Sequence, residues 1–141
     1  MLQRLGCIFQ TLTGGAYARV VTELDDDGTA HLGLIQRDFS EERQTVDQLS
    51  EGTRDQFFLA LRVAAIEDHV ASADPLPFIG DDILQTFDDS RALAALRVLT
   101  ELSQHTQVIV LTHHRHVLDL ASQLPKGTIH SCQREPLTTT A

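Results

Sequence analysis

The sequence is poor in lysine: Lys126 is the only one in 141 residues, and it follows Pro125 rather than a glycine. A phosphate-binding loop of the form G-x-x-x-x-G-K-[ST] is therefore excluded, because its lysine directly follows a glycine. Basic residues are scarce in general, with 11 Lys and Arg against 20 Asp and Glu, and the formal net charge is -9. This balance does not suit a domain that grips nucleic-acid phosphates by itself.

The sequence also contains few cysteines and no long apolar run. Cys7 and Cys132 lack C-x-x-C spacing, which favours two reduced thiols in a cytoplasmic protein. No stretch resembles a signal peptide or a membrane span, so we expect a soluble protein that does not associate with membranes. The length and an apolar content of 42% fit one globular domain.

The first third of the chain predicts a helix followed by a hairpin. Apolar residues spaced three and four apart in residues 1–12 are typical of a coiled-coil seam or of an amphipathic helix that packs on a core. Residues 17–24 and 31–36 are β-rich and flank an Asp-Gly turn, which predicts an antiparallel hairpin. Residues 38–47 are polar and predict a linker.

The rest of the chain predicts helices that alternate with short strands, which indicates an α/β fold with a parallel sheet flanked by helices. The run VIVL at 108–111 is typical of a strand covered on both faces, and the strand at 78–82 is expected to be buried. Residues 134–141 are expected to form a disordered tail. The predicted helices are 53–72, 88–104 and 116–124, and the predicted strands are 78–82, 108–111 and 128–132.

Ser50 and Gly52 precede the first of these helices. Unpaired backbone N–H groups at such a position favour an anion such as a phosphate, and Gly52 would allow close approach of the backbone. The alternative is that Ser50, or Thr53 with Gln56 in a capping box, only caps the helix.

Acidic and histidine side chains follow the two strands of the predicted parallel sheet. Asp81 and Asp82 end one strand and His113 follows the other, so all three are expected at the edge where open α/β sheets bind ligands. Carboxylates there can hold Mg²⁺ or orient a water molecule. His113, His114 and His116 also suggest zinc, but no spaced acid or cysteine accompanies them in the sequence.

Four segments in this order resemble the motifs of one family. Residues 49–56 (LSEGTRDQ) are similar to the signature motif of ABC-type ATPases in its SMC-like form, and residues 77–82 (PFIGDD) resemble their Walker B strand. Residues 87–91 (FDDSR) resemble the D-loop, and residues 108–113 (VIVLTH) resemble the strand of the switch histidine. Residues 1–133 thus resemble the C-terminal lobe of an SMC/ABC-type ATPase head, especially in YhaN-like ATPases, which are relatives of double-strand-break repair ATPases.

The resemblance implies a partial P-loop NTPase fold, ATP and Mg²⁺ as cofactors, and a head-to-head dimer. Residues 1–12 would be the end of a coiled-coil arm, and DNA would be reached only through the assembled complex, in DNA repair or chromosome maintenance. The roles implied are catalysis for Asp82 and His113, Mg²⁺ binding for Asp81, and nucleotide or dimer contacts for Ser50, Gly52, Thr53 and Asp88.

Two features depart from the family pattern. Asp82 stands where a catalytic glutamate is usual, and no phosphate-loop lobe is present, so ATP hydrolysis would need a Walker A lobe encoded elsewhere or lost from a truncated gene. Two alternatives remain open at this stage. The chain could be a non-catalytic module that docks on a complete ATPase head, or a Mg²⁺-dependent phosphoesterase that uses the same acidic and histidine residues.

Overall fold

The computed structural model describes residues 1–25, 27–38, 43–125 and 129–132. Its strands form a three-stranded antiparallel sheet in the order β1-β2-β3 and a two-stranded parallel sheet of β4 and β5. The α/β class with an N-terminal hairpin and a helix-flanked parallel sheet is therefore confirmed. In chain order, the elements are α1 Leu2–Leu12, β1 Tyr17–Leu24, β2 Ala30–Gln36, β3 Arg43–Thr45, a 3-10 turn Val46–Gln48, α2 Glu51–Val70, β4 Phe78–Asp81, α3 Asp89–Leu102, β5 Val108–Leu111 and α4 Arg115–Ala121.

The antiparallel sheet begins with the hairpin that the Asp-Gly turn predicts. Gly28 has a φ of +83°, a conformation that glycine adopts without steric cost. The prediction of a linker over 38–47 was partly wrong, because Arg43–Thr45 forms a third strand against β2. The Gln44 side chain accepts hydrogen bonds from Tyr17 Oη and Gln36 Nε2 at 3.1 and 3.0 Å, so polar contacts hold this edge strand. Residues 39–42 lie outside the described part of the chain.

Helix α1 packs its apolar stripe on the core. Leu5, Phe9 and Leu12 are buried, and the Phe9 ring lies 4.9 Å from the ring of Tyr17 and 5.4 Å from that of Phe57. Its C-terminal end is fixed by the buried Gln56 side chain, which donates a hydrogen bond to the Leu12 carbonyl. The apolar spacing in α1 therefore serves an amphipathic helix that packs on the core. That α1 is also the end of a coiled-coil arm stays a prediction.

Helices α2 and α3 supply most of the remaining core. The predicted ends of α2 were right to within two residues, and Phe58 on this helix is 44% exposed. Helix α3 starts at Asp89, and the side chain of Asp88 caps its N-terminus. The helix buries six of its apolar side chains. Those residues are Ala92, Ala95, Leu96, Val98, Leu99 and Leu102.

Strands β4 and β5 pair in parallel, with Phe78 opposite Val108 and Asp81 opposite Leu111. The strands were predicted correctly, but their expected burial was not. Phe78 is buried, whereas Ile79 is 62% and Leu111 is 50% exposed, so the described structure covers only one face of this pair.

The C-terminal region departs most from the predictions. Helix α4 ends at Ala121, before the predicted end at residue 124, and the described residues 129–132 form no strand. Residues 126–128 and the predicted tail 134–141 lie outside the described residues. Among the residues that are described, no helix is long and apolar enough to cross a bilayer.

Candidate functional site

The parallel pairing brings Asp82 and His113 into contact at the carboxyl edge of β4 and β5. Asp82 Oδ2 lies 2.6 Å from His113 Nδ1, and the backbone N–H of His113 donates to Asp82 Oδ1 at 3.2 Å. The contact follows from the register, because Asp81 is opposite Leu111 and each strand ends there. Asp82 is partly buried, whereas the His113 side chain is 70% exposed and faces solvent on its other side.

The backbone at Asp82 is unusual. Its φ is +47°, and it is the one non-glycine residue in the described ranges with a positive value. The N–H of Asp82 donates to the Leu111 carbonyl at 2.9 Å, and its carbonyl accepts from the N–H of Gln85 at 3.2 Å. These bonds fix the turn that leads out of β4 and aim the Asp82 carboxylate at His113.

Competing effects act on the Asp82 carboxyl. Desolvation raises the pKa of this group, but hydrogen bonds from the side chain and backbone of His113 lower it, as does the attraction of the imidazole charge. The net effect is a pKa below the ordinary value of 3.8, so Asp82 is an ionised acceptor at neutral pH. A carboxylate in this state can accept a proton or orient a water molecule.

Asp81 lies beside Asp82 at the last position of β4 and is exposed. Its carboxylate oxygens are of the kind that Mg²⁺ prefers. The assignment of Asp81 to Mg²⁺ stays a prediction.

Ser50 is the N-cap of α2, as the simpler interpretation of the sequence had it. Its Oγ accepts from the N–H of Thr53 at 3.4 Å and lies 2.8 Å from Thr53 Oγ1. The proposed capping box of Thr53 with Gln56 was wrong, because Gln56 bonds to Leu12 instead. Capping occupies one of the backbone donors of the first turn, so it does not exclude an anion at the others.

The start of α2 lies next to the segment that begins α3. A Cβ at Gly52 would lie 3.1 Å from Arg91 Nη1 and 3.4 Å from the Thr86 carbonyl, so a larger residue would crowd this contact. Asp88 accepts from the N–H of Arg91 at 2.9 Å and forms an ion pair with Arg91 Nε at 3.3 Å. Thr86 Oγ1 also donates to Asp55 at 2.7 Å.

The predicted site residues thus form two clusters. One comprises Asp82 and His113 with the adjacent Asp81. The other comprises Ser50, Gly52 and Thr53, with Asp88 connected to them through Arg91. Within the described residues, no hydrogen bond or ion pair joins the two clusters.

His114, which the sequence suggested only as part of a zinc-binding run of histidines, lies against the first cluster. Its ring centroid lies 3.9 Å from that of His113, and its backbone N–H donates to Thr112 Oγ1 at 3.1 Å. Its Nε2 atom is buried and has no hydrogen-bond partner among the described residues. The run of histidines was the signal in the sequence for this cluster, but the Asp82 carboxylate near it follows a different strand.

Relatives by sequence are larger proteins. The chain is 32% identical over 120 residues to the uncharacterised protein YhaN of Bacillus subtilis, an alignment that covers 84% of this chain and 12% of YhaN. It is 25% identical over 120 residues to the chromosome partition protein Smc of Delftia acidovorans, covering 84% of this chain and 10% of Smc. The chain therefore spans about an eighth or less of these relatives. No protein-family model matches the sequence.

Solved structures with the same fold include SMC proteins and their head domains. An SMC ATPase studied for ATP-driven dimerisation and DNA-stimulated activation has a TM-score of 0.66 at 18% identity, over 85% of this chain and 71% of that one. The SMC head domain from Thermotoga maritima has a TM-score of 0.55 at 25% identity, over 84% of this chain and 41% of that one. Sequence and fold together show that this chain resembles the head of SMC/ABC-type ATPases and is similar in sequence to YhaN.

Proposed function

We propose that this chain acts as the C-terminal lobe of an ATP-hydrolysing SMC-like head. It would supply the signature motif, the Walker B strand, the D-loop and the switch histidine. A Walker A lobe outside this sequence would supply the phosphate loop. The observation that carries the proposal is the contact of Asp82 with His113 at the carboxyl edge of two parallel strands, where α/β folds bind their ligands.

Each residue of this edge would have one task. Asp82, an ionised acceptor, would orient the attacking water and accept its proton, and His113 would donate a hydrogen bond toward the γ-phosphate. Asp81 would hold Mg²⁺, which neutralises phosphate charge when it is bound. Because aspartate reaches less far than the usual glutamate, we expect slow turnover.

The second cluster would serve nucleotide held by another head. Ser50, Gly52 and Thr53 lie at the start of a 20-residue helix, whose N–H groups and dipole favour a phosphate. Asp88, at the start of α3, would lie at the contact between the two heads. The description of ATP-driven dimerisation for an SMC ATPase of the same fold supports this arrangement.

The exposed face of β4 and β5 supports the need for a second lobe. Ile79, Ile109 and Leu111 expose apolar surface on a sheet of only two described strands, which leaves strand edges unpaired. A lobe with further strands would cover the apolar face and pair with the strand edges. Lys126 cannot replace the missing phosphate-loop lysine, because Pro125 precedes it.

The cellular process is proposed from the relatives. A chromosome partition protein and a DNA-stimulated ATPase support a cytoplasmic role in chromosome maintenance or DNA repair. The net charge of -9 supports DNA contact through the assembled complex rather than through this chain alone.

Mg²⁺-dependent ATP turnover tests the proposal. The chain would be assayed alone and mixed with a phosphate-loop lobe encoded in its genomic neighbourhood. We expect phosphate release only in the mixture, reduced at least about 100-fold by Asp82→Ala, since general bases contribute about 10²–10⁴-fold. The matched control is Asp74→Ala, an exposed acid that precedes β4 and lies away from its carboxyl edge.

The other outcomes separate the alternatives. Binding of the phosphate-loop lobe without turnover would contradict the catalytic proposal and support a non-catalytic docking module. Hydrolysis of phosphate esters by the chain alone, abolished by a chelator, would support a Mg²⁺-dependent phosphoesterase. An equal loss in Asp74→Ala would show that Asp82→Ala acts through stability rather than chemistry.

A further inference from the structure

At the carboxyl edge of the parallel strands, His114 joins Asp82 and His113 in a set of potential metal ligands. Asp82, His113 and His114 each present one ligand atom, and these three atoms all lie within 4.8 Å of one another. Asp82 comes from the end of β4, and the two histidines come from the end of β5. The pairing of the strands therefore supplies the acid that the run His113 to His116 lacks in the sequence.

Hydrogen bonds orient the Asp82 carboxylate and the backbone of both histidines. The backbone N–H of His113 donates to Asp82 Oδ1, and Thr112 Oγ1 accepts from the N–H of His114. Hydrogen bonds of this kind orient ligands in metal sites. The buried Nε2 of His114 has no partner among the described residues, so a cation bound through Nε2 would satisfy an atom that the described contacts do not.

The donor set selects a class of metal. Two imidazoles and one carboxylate suit Zn²⁺ and similar transition-metal ions, whereas Mg²⁺ prefers oxygen ligands alone. Three protein ligands also leave a coordination position for water. Asp81, which offers oxygen only, is not part of this set.

The distances require a small rearrangement. Ligand atoms around a tetrahedral Zn²⁺ lie about 3.4 Å apart, given bond lengths of about 2.0–2.2 Å. With Asp82 Oδ2 and His113 Nδ1 as ligand atoms, their contact of 2.6 Å would open by less than an ångström, and any pair of ligand atoms near the upper limit of 4.8 Å would move closer together. Rotation of the exposed His113 side chain allows such a change.

We propose that Asp82, His113 and His114 form a binding site for a divalent transition-metal ion of the Zn²⁺ type. The site is formed by this chain alone, so it does not depend on ATP or on a second lobe. One consequence does rest on the proposed function: a metal held by Asp82 and His113 would occupy the groups proposed for catalysis, and would inhibit turnover.

Binding of Zn²⁺ to the full chain tests the proposal. The protein would carry Cys7→Ser and Cys132→Ser, because both thiols are exposed and could bind zinc themselves. Competition with a chromophoric chelator would measure affinity and stoichiometry. The visible absorption of bound Co²⁺ would show whether the metal has a low coordination number. We expect one strong site that millimolar Mg²⁺ does not displace.

Substitutions locate the site. We expect His114→Gln and His113→Gln each to weaken Zn²⁺ binding at least about 10-fold, the smallest loss usual even for residues that only support a ligand. His105→Gln is the matched control, since His105 is exposed and precedes β5, whereas the site follows that strand. Circular dichroism without metal would show whether each variant keeps the parental fold.

The proposal would be overturned by the absence of a strong site, or by a loss in His105→Gln equal to that in the site variants. Unchanged affinity in both His113→Gln and His114→Gln would equally overturn it, even if zinc binds elsewhere. Because these readouts involve no ATP, they succeed or fail independently of the ATPase proposal.

Discussion

The two sheets of this protein are completed to different degrees. The antiparallel sheet pairs three strands and lies against α1, whose apolar stripe is buried between that sheet and α2. Among the strands that the structure describes, the parallel sheet pairs only β4 and β5, and it leaves Ile79 and Leu111 largely exposed. The antiparallel sheet is therefore the more completely packed of the two, and the proposed chemistry lies at the edge of the parallel one. A two-stranded sheet with an exposed face next to that edge is what the proposed shared active site requires.

The largest effect should come from breaking the well-packed region. Phe9 is 1% exposed and contacts the rings of Tyr17 and Phe57, so Phe9→Ala should lower the free energy of unfolding by about 3–5 kcal/mol. Urea unfolding measures this loss. Phe58→Ala is the matched control, with an expected loss of about 1 kcal/mol or less because Phe58 is partly exposed. Equal losses would contradict the assigned difference in packing.

The incomplete sheet predicts self-association of the isolated chain. Replacing Ile79 and Leu111 together by threonine keeps strand propensity and removes exposed apolar surface, so the monomer fraction should rise. Light scattering coupled to size exclusion, over a range of concentrations, measures it. Leu24→Thr should have little effect, because Leu24 is an exposed apolar residue of the antiparallel sheet. A parental chain that is monomeric at high concentration would contradict the prediction.

The smallest expected effect concerns the contact that joins β4 to His113. The pKa of Asp82 lies below 3.8, so the contact stabilises the fold above that value, and this stabilisation is lost as pH falls through the lowered pKa. NMR titration of the Asp82 carboxyl should give a midpoint below 3.8. The protection factor of the His113 amide against hydrogen exchange should fall over the same range, while that of the Phe78 amide, bonded to the Gln107 carbonyl, should change less. A midpoint above 3.8 would contradict the geometry.

Local signals in the sequence predicted most of the fold. The Asp-Gly turn specified the hairpin, the apolar spacing specified α1, α2 and α3, and the alternation of helices with strands specified the parallel pair. The strand Arg43–Thr45 was missed because it is short and polar, and its pairing depends on Tyr17 and Gln36. Burial of β4 and β5 was overestimated because an apolar run does not reveal whether the covering layer belongs to the same chain.

The candidate site was predicted in part. That Asp82 and His113 would be near each other followed from strand direction, since both end parallel strands. The link from Gly52 to Arg91 was not predictable, because it joins helices separated by about 40 positions in sequence. The metal-ligand set was missed for a similar reason: its carboxylate and its imidazoles come from different strands, so no spacing rule connects them.

The left-handed backbone at Asp82 limits which amino acids can occupy this position. Aspartate, asparagine and glycine tolerate such a conformation best, whereas longer side chains are disfavoured there. Exchanging Asp82 for the longer glutamate would therefore strain the turn and move the carboxylate away from His113. Any redesign for faster hydrolysis in the proposed assembly would have to begin with the backbone of residues 81–85, and asparagine is a substitution that removes the charge and tolerates the same backbone conformation.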